Sequence, residues 1–253
     1  MVFYHAEYND KEKQKLKEFK DFCKKKGVKV PEVDAEVMKC LHGEKFDVED
    51  AYKALNVRLN FLNERLPLKV SPVVFDLIQK GFIYVCGRDR QYRPIVVMNG
   101  WISRTLPELP AIDEILATFM LVSEYINKYM LVPGKVENII QINNSNKMGF
   151  NPAMISRMKE VMGVMQNVYK GRLRSVMGVN APATFALVWR TIRFFIDENT
   201  RQKINISSEP VNPLIHQLAA PNQFEEKFGG TQKNREEGEY WPPYLPDMDF
   251  GID

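Results

Sequence analysis

Apolar residues recur at helical spacing through the first third of the chain. The first helix is expected to begin at a capping box, in which Asn9 and Glu12 bond each other's backbone, and to end at Gly27. Its buried face is predicted from residues three or four positions apart: Leu16, Phe19 and Cys23. This pattern indicates an amphipathic helix that packs one side against a core.

Two further helices are predicted before the pattern changes. Asp34 is expected to cap a short helix and Asp47 a longer one, and Pro67 and Pro72 close the region. The longer helix carries an apolar stripe at helical spacing: Val48, Ala51, Leu55, Leu59 and Leu62. We therefore expect residues 1–72 to form an N-terminal helical subdomain.

After Phe75, short β-rich runs alternate with helical runs. The candidate strands are Phe82–Cys86, Pro94–Met98, Asn138–Ile142, Arg174–Asn180 and Lys203–Ile206. The candidate helices are Ile112–Met130, Pro152–Tyr169 and Ala183–Ile196. The polar turn Gly87–Arg93 favours a hairpin between the first two strands. Strands separated by helices predict an α/β fold with a mostly parallel sheet over residues 73–235.

The C-terminal residues 236–253 are acidic and rich in proline and aromatic residues. We expect an extended tail, held to the body of the protein by Tyr240, Trp241 and Tyr244.

Composition and motifs disfavour several classes of function. A net charge of +3 over 253 residues is small for a nucleic-acid binder. There is no signal-peptide pattern and no credible transmembrane stretch, so a cytoplasmic location is expected. The three cysteines are expected to be buried thiols, and the three histidines lack metal-ligand spacing. Because phosphate-loop and nucleophile-elbow motifs are also missing, we expect no cofactor, no metal and no enzymatic activity.

One predicted helix is unusually apolar. In Ala183–Ile196 the only charges are Arg190 and Arg193, which share one edge of the helix. A surface helix should carry a broad polar face, and this one does not. Two explanations are open: burial on both sides by the fold, or packing on one side and contact with an apolar ligand or a membrane on the other.

Several short motifs carry a family resemblance, in the family's order and spacing across roughly residues 34–232. They are KFDVEDA at 45–51, GRD at 87–89 with RPIVV at 93–97, VNAP at 179–182, a D-x-x-T-x-x-K-I turn at 197–204, and KFGG at 227–230. Together they resemble the Sec14-like (CRAL-TRIO) lipid-binding family. Tyr92 stands where the family usually has a second glycine.

The resemblance implies a fold and a ligand pocket. Members of the family have a helical N-terminal part joined to a βαβ domain, whose sheet floors an apolar pocket that an amphipathic helix closes as a gate. The resemblance places the gate on Ala183–Ile196, the same helix that lacks the broad polar face expected of a surface helix. The residues expected to form pocket and gate are Val176, Phe185, Val188, Trp189, Ile192, Phe194 and Phe195.

The resemblance also implies a headgroup site. In members that bind phosphatidylinositol, matching positions contact the inositol phosphate, and here these are Lys45, Arg172, Thr200 and Lys203. The sequence departs from the family at Gly171, where a glutamate is usual, and at Cys40 and Glu44, where basic residues are usual.

The resemblance therefore implies a lipid carrier. We expect one lipid, phosphatidylinositol or another glycerophospholipid, to be bound and transferred by a monomer that contacts membranes transiently. Two alternatives stay open. One is a carrier of a neutral hydrophobic ligand such as a tocopherol, retinoid, squalene or sterol, which the departures from the headgroup pattern favour somewhat. The other is a module that anchors partners at membranes without transferring lipid.

Overall fold

The computed structural model describes residues 8–146 and 152–245 and divides the chain into two compact units. The first unit consists of Met1–Pro67, Leu131–Asn138 and Gly163–Arg172. The second consists of Leu68–Met130, Ile139–Met162 and Leu173–Asp253.

Three helices form the N-terminal part of the first unit: α1 at Asp10–Lys25, α2 at Asp34–Gly43 and α3 at Val48–Arg65. The predicted capping box of Asn9 and Glu12 is present, and the Asp47 carboxylate accepts the backbone N–H of Asp50. The prediction that Asp34 caps α2 is wrong. Val33 is the cap residue and makes no side-chain bond there, while Asp34 lies in the first turn and pairs with Lys20.

The core of the first unit lies where these helices meet. It contains Leu16, Phe19 and Cys23 of α1, Ala51 and Leu55 of α3, and most of α2, including Cys40. Cys23 and Cys40 are buried free thiols, as expected, and so is Cys86 in the second unit.

The second unit is built on a five-stranded sheet in the order β1-β2-β3-β4-β5. Its strands are β1 Ile83–Arg88, β2 Pro94–Met98, β3 Ile139–Asn144, β4 Leu173–Val179 and β5 Ile204–Ile206. β1 and β2 form the predicted antiparallel hairpin, and the remaining pairings are parallel. The predicted α/β class with a mostly parallel sheet is confirmed.

The helices beyond α3 are α4 Pro72–Gln79, α5 Ile112–Tyr129, α6 Pro152–Val168, α7 Phe185–Ile192, α8 Glu198–Arg201 and α9 Leu214–Leu218. Short 3₁₀ helices lie at Gly100–Arg104, Arg193–Phe195, Pro221–Gln223 and Glu226–Phe228.

Helix α4 contradicts the expectation that Pro72 closes a helical region. Pro72 instead occupies the first turn of α4, where its missing N–H costs nothing, and the Ser71 hydroxyl caps the helix.

The order of the parallel strands determines which face the crossovers use. From β2 to β5 every strand lies beside its predecessor, and right-handed connections between such strands all run over the same face. The opposite face is covered by the C-terminal segment, residues 214–245. There Ile215, Phe224, Phe228 and Tyr240 pack on alternate strand residues, such as Ile142 and Met177.

The C-terminal segment is held to the edge strand β1. The Arg235 guanidinium donates to the carbonyls of Val85 and Cys86, and the ring of Tyr240 lies 4.6 Å from that of Tyr84. The ring of Trp241 packs edge-on against Tyr125 at 5.1 Å, whereas the ring of Tyr244 is exposed. The bonds from Arg235 to Val85 and Cys86 cover part of the edge strand β1, which would otherwise offer these backbone groups to other chains.

Candidate functional site

The connection from β4 to β5 exposes three large apolar side chains close together in sequence. It begins at Asn180, whose backbone is left-handed (φ 53°), and α7 then leads directly into the 3₁₀ helix Arg193–Phe195. Leu187, Phe194 and Phe195 are 48%, 71% and 52% exposed. We call these three residues the apolar patch.

The other side of the same helix is packed. Val188 and Ile192 are each 4% exposed and lie in a small cluster with Met158, Phe185 and Trp189. Of the two explanations left open by the sequence, burial on both sides is therefore excluded, because the patch faces solvent. The helix packs through one face only and presents apolar side chains on the other.

Basic side chains surround the apolar patch. The Lys159 ammonium lies 3.9 Å from the centroid of the Phe195 ring, and the guanidinium of Arg193 lies 4.9 Å from that of Phe194. Arg190 is exposed on the same helix. These cations are attracted to the aromatic faces and place positive charge beside the patch.

The sheet face opposite the C-terminal segment carries two rows of side chains, set by the strand register. One row is Val96, Gln141, Val176 and Ile204, and the other is Met98, Asn143, Gly178 and Ile206. On the central strand β3, Gln141 and Asn143 are only half-buried, although their neighbours Ile140 and Ile142 are fully buried. This face is therefore mainly apolar but incompletely covered in its centre.

Gln141 and Asn143 are candidate pocket residues that the sequence reasoning missed. The Gln141 amide donates to the Asn143 side chain at 2.7 Å. The signal was present in the sequence, since the strand reads Ile-Ile-Gln-Ile-Asn-Asn and alternates with the strand period. A central parallel strand buried on both faces would instead be apolar throughout.

Two of the predicted headgroup residues lie in the second unit, on the turn that follows the apolar patch. Asp197 caps α8 by accepting the Thr200 N–H, and the Lys203 N–H donates to the Thr200 carbonyl. The Lys203 ammonium donates to the Leu173 carbonyl at 2.9 Å. Burial and the positive charge of Arg174 lower the pKa of Lys203, while Asp197 opposes this effect.

The other two predicted headgroup residues, Lys45 and Arg172, lie in the first unit. Lys45 is exposed at the end of α2 with a left-handed backbone (φ 52°). Arg172 donates to the carboxylates of Glu36 at 2.7 Å and Glu137 at 2.8 Å. Its guanidinium is thus already neutralised by two acids of its own unit.

Arg172 belongs to a buried ionic cluster in the first unit. Lys39 and Glu137 form an ion pair with side chains 2% and 1% exposed, and Arg58 reaches Glu36 at 2.9 Å. Burial raises the pKa of Glu36, but Arg172, Lys39 and Arg58 together lower it to about 2. Because every charge in this cluster faces an opposite one, its desolvation is compensated.

A cavity of about 560 Å³ lies elsewhere in the second unit, at the carboxyl ends of β2, β3 and β4. Its described walls include Asn99, Asn144 and Asn180, and none of the seven predicted pocket and gate residues is among them.

These features define an α/β domain with one fully packed sheet face, one partly covered face, and a crossover helix that exposes apolar side chains. The chain belongs to the CRAL/TRIO domain family, whose model matches residues 78–230. The family predicted from the sequence motifs is therefore confirmed.

Comparison with known proteins agrees with this assignment. The chain is 27% identical over 103 residues to the phosphatidylinositol/phosphatidylcholine transfer protein SFH9 of Arabidopsis thaliana, and 32% identical over 81 residues to the phosphatidylinositol transfer protein SFH5 of Candida glabrata. These matches cover 40% and 32% of this chain but only 17% and 27% of the relatives. The crystal structure of Sfh5 has the same fold, with a TM-score of 0.74 at 16% identity over 96% of this chain and 95% of that one.

None of the helices in the described ranges is both long enough and apolar enough to cross a membrane.

Proposed function

We propose that the protein binds a single lipid between the partly covered sheet face and helix α7, and transfers it between membranes without chemical change. The ligand is a glycerophospholipid, of which phosphatidylinositol is the first candidate. The observation that carries the proposal is the apolar patch, whose three large side chains are exposed on a helix that packs through its other face. The names of the relatives, which are phospholipid transfer proteins, support it.

The apolar patch gives a physical reason for transient contact with membranes. Exposed aromatic side chains gain free energy when they enter the apolar part of a bilayer, at roughly 25 cal/mol per Å² of surface removed from water. Lys159, Arg190 and Arg193 add attraction to anionic headgroups. A helix that prefers the bilayer when it meets one, and packs on the protein otherwise, can open and close a lipid pocket as a gate.

A gate of this kind satisfies the energetic condition for transfer. Each buried CH₂ of an acyl chain contributes about 0.8 kcal/mol, both in a bilayer and in an apolar pocket. The free energy of a lipid therefore differs little between the bilayer and the pocket. The rate of exchange depends on how the lipid crosses the water between the two. Binding and release at the membrane need no metal, nucleotide or nucleophile.

The decisive experiment removes the apolar patch while keeping the fold. Phe195→Asp is expected to abolish transfer of labelled phospholipid between vesicles, because a carboxylate at this position opposes bilayer contact. Phe75→Asp is the matched control, since Phe75 on α4 is 55% exposed and Phe195 52% exposed. Circular dichroism must show both variants folded. Transfer by Phe195→Asp at the rate of Phe75→Asp would contradict the proposal.

A neutral hydrophobic ligand in the same pocket is the second candidate. The observation that favours it is the state of the basic residues: Arg172 is neutralised by two carboxylates, and Lys203 is bonded to a carbonyl with a lowered pKa. Extraction of the purified protein with organic solvent, followed by mass spectrometry, distinguishes the candidates directly. A phospholipid supports the first, and an isoprenoid or sterol supports the second.

A further inference from the structure

The cavity at the carboxyl ends of β2, β3 and β4 is distinct from the proposed lipid pocket. Its volume of about 560 Å³ lies in the range of small-molecule sites, and ligands of open α/β sheets bind at the carboxyl ends of strands. Three strands each contribute one asparagine there: Asn99 follows β2, Asn144 ends β3 and Asn180 follows β4. The C-terminal segment contributes Phe228 and Tyr240 to the wall.

The three asparagines form a directed chain of hydrogen bonds. The Asn99 amide donates to the Gly81 carbonyl at 2.9 Å, so its own Oδ1 faces Asn144 and accepts from it at 2.9 Å. The Asn144 Oδ1 then accepts from the Asn180 amide at 3.0 Å. The backbone carbonyl of Gly81 can only accept, so it fixes the direction of all three hydrogen bonds and thereby the orientation of each asparagine amide. Within the described part of the chain, this leaves the Asn180 Oδ1 as an oriented acceptor at the open end.

Both lysines that line the cavity are already paired with carboxylates. Lys80 pairs with Asp76 and Glu237, each at 2.8 Å, and Lys227 pairs with Glu225 at 2.6 Å. The wall also includes the exposed carboxylate of Glu226. An anionic ligand such as a phosphate would therefore meet lysines that are already neutralised, with a carboxylate beside it. The lysines still offer N–H donors to a neutral ligand, because an ammonium has three.

We propose that this cavity binds a neutral polyhydroxylated ring, a sugar or a cyclitol. Each hydroxyl both donates and accepts, which matches a wall that offers the oriented Asn180 Oδ1 as an acceptor and the ammonium groups of Lys80 and Lys227 as donors. The apolar C–H edges of such a ring can pack against the aromatic side chains of Trp101 and Tyr240. The proposal does not rest on the lipid-carrier function, because the two sites use different residues.

The test measures binding of free myo-inositol and D-glucose to the full chain by ligand-observed NMR. Wild type is expected to give a saturable signal in the millimolar range. Asn180→Ala is expected to bind about tenfold more weakly, since the loss of one oriented hydrogen bond costs about 1.4 kcal/mol. Asn60→Ala is the control, because Asn60 is exposed on α3 in the first unit and its removal leaves the cavity intact.

A second variant tests the cavity independently, in case Asn180→Ala does not fold. Asn146 is an exposed wall residue whose backbone, not its side chain, bonds Asn144, so Asn146→Trp fills space without breaking the chain of amides. Asn146→Trp is expected to weaken binding of the polyols as much as Asn180→Ala does. Binding of wild type and Asn180→Ala to vesicles that contain phosphatidylinositol is then compared. Weaker vesicle binding by Asn180→Ala would show that the ring is a lipid headgroup, and equal binding would show that it is a free polyol. The proposal is overturned if wild type binds neither form, if both variants bind like wild type, or if inorganic phosphate competes at lower concentration than the polyols.

Discussion

At the scale of single residues, several family motifs have structural explanations. A Cβ on Gly87 would lie 2.1 Å from the Gln223 carbonyl oxygen, and one on Gly230 would lie 1.8 Å from that of Phe224. Asp89 accepts from both the backbone and the side chain of Arg93 and so closes the hairpin turn. The motifs that identify the family therefore include residues that hold its fold together, and they specify the fold more firmly than the ligand.

The residue that best separates the two lipid candidates is Lys203. If the ligand is phosphatidylinositol, its phosphate must accept a hydrogen bond from the Lys203 ammonium, which has three N–H donors and uses one on the Leu173 carbonyl. A charge-assisted bond of this kind contributes roughly 1.5–3 kcal/mol, so Lys203→Ala should weaken binding about tenfold or more. Binding of a neutral isoprenoid should be unchanged.

The measurement is a paired titration of wild type and Lys203→Ala with phosphatidylinositol, phosphatidylcholine and squalene. Lys53→Ala serves as a control, because Lys53 lies on the exposed surface of α3 and pairs only with Asp50 among the described residues. Equal weakening for all three ligands would show that Lys203 supports the fold and not a headgroup. For Lys45 and Arg172, contact with a headgroup stays a prediction from the family resemblance.

At the scale of elements, the sequence predicted the strands within one or two residues at either end, because apolar alternation and turn residues are local signals. It did not predict α4, since Pro72 was taken to end a helix when it begins one. Nor could it predict that Arg172 is neutralised by Glu36 and Glu137. Those partners are far away along the chain, and only the folded structure brings them together.

The C-terminal segment leaves no room for a methyl group at Gly230. Gly230→Ala should destabilise the protein by more than 2 kcal/mol, because the new Cβ collides with backbone and not with a movable side chain. Gly163→Ala should do the opposite. A Cβ there meets nothing within 4 Å, and alanine in α6 should stabilise by about 0.5–1 kcal/mol.

Urea unfolding of the two variants beside wild type measures both effects. Equal midpoints for Gly230→Ala and wild type would mean that the backbone around Pro221, Phe224 and Gly230 adjusts at little cost, contrary to the expected collision.

At the scale of the whole molecule, the buried ionic cluster makes stability depend on pH. The pKa of Glu36 falls from an ordinary 4.5 to about 2 in the folded protein. A carboxyl group with a lowered folded pKa adds stability above its unfolded pKa, and this is lost as the pH falls towards the folded value. Glu36 should therefore contribute on the order of 3 kcal/mol at neutral pH, and the loss should occur between about pH 4.5 and 2.

The check is urea unfolding at several pH values in that window. Glu36→Gln should be less stable than wild type at neutral pH but should lose less on acidification, since it has no proton to take up. Glu32→Gln, at a carboxylate 89% exposed, should follow wild type throughout. If acidification affects wild type and Glu36→Gln equally, the pKa of Glu36 is not the cause.

The two faces of the sheet also have a consequence for how such proteins diverge. The C-terminal segment and the large hydrophobic cluster lie on one face, while the half-buried residues Gln141 and Asn143 lie on the other. Substitutions of Gln141 and Asn143 exchange half-buried polar side chains that contribute little to the hydrophobic core, so they cost little in folding. A lineage can therefore change what this face accommodates through a few tolerated mutations, while the opposite face preserves the architecture. Such a division makes the fold a favourable starting point for evolving or engineering new cargo preferences.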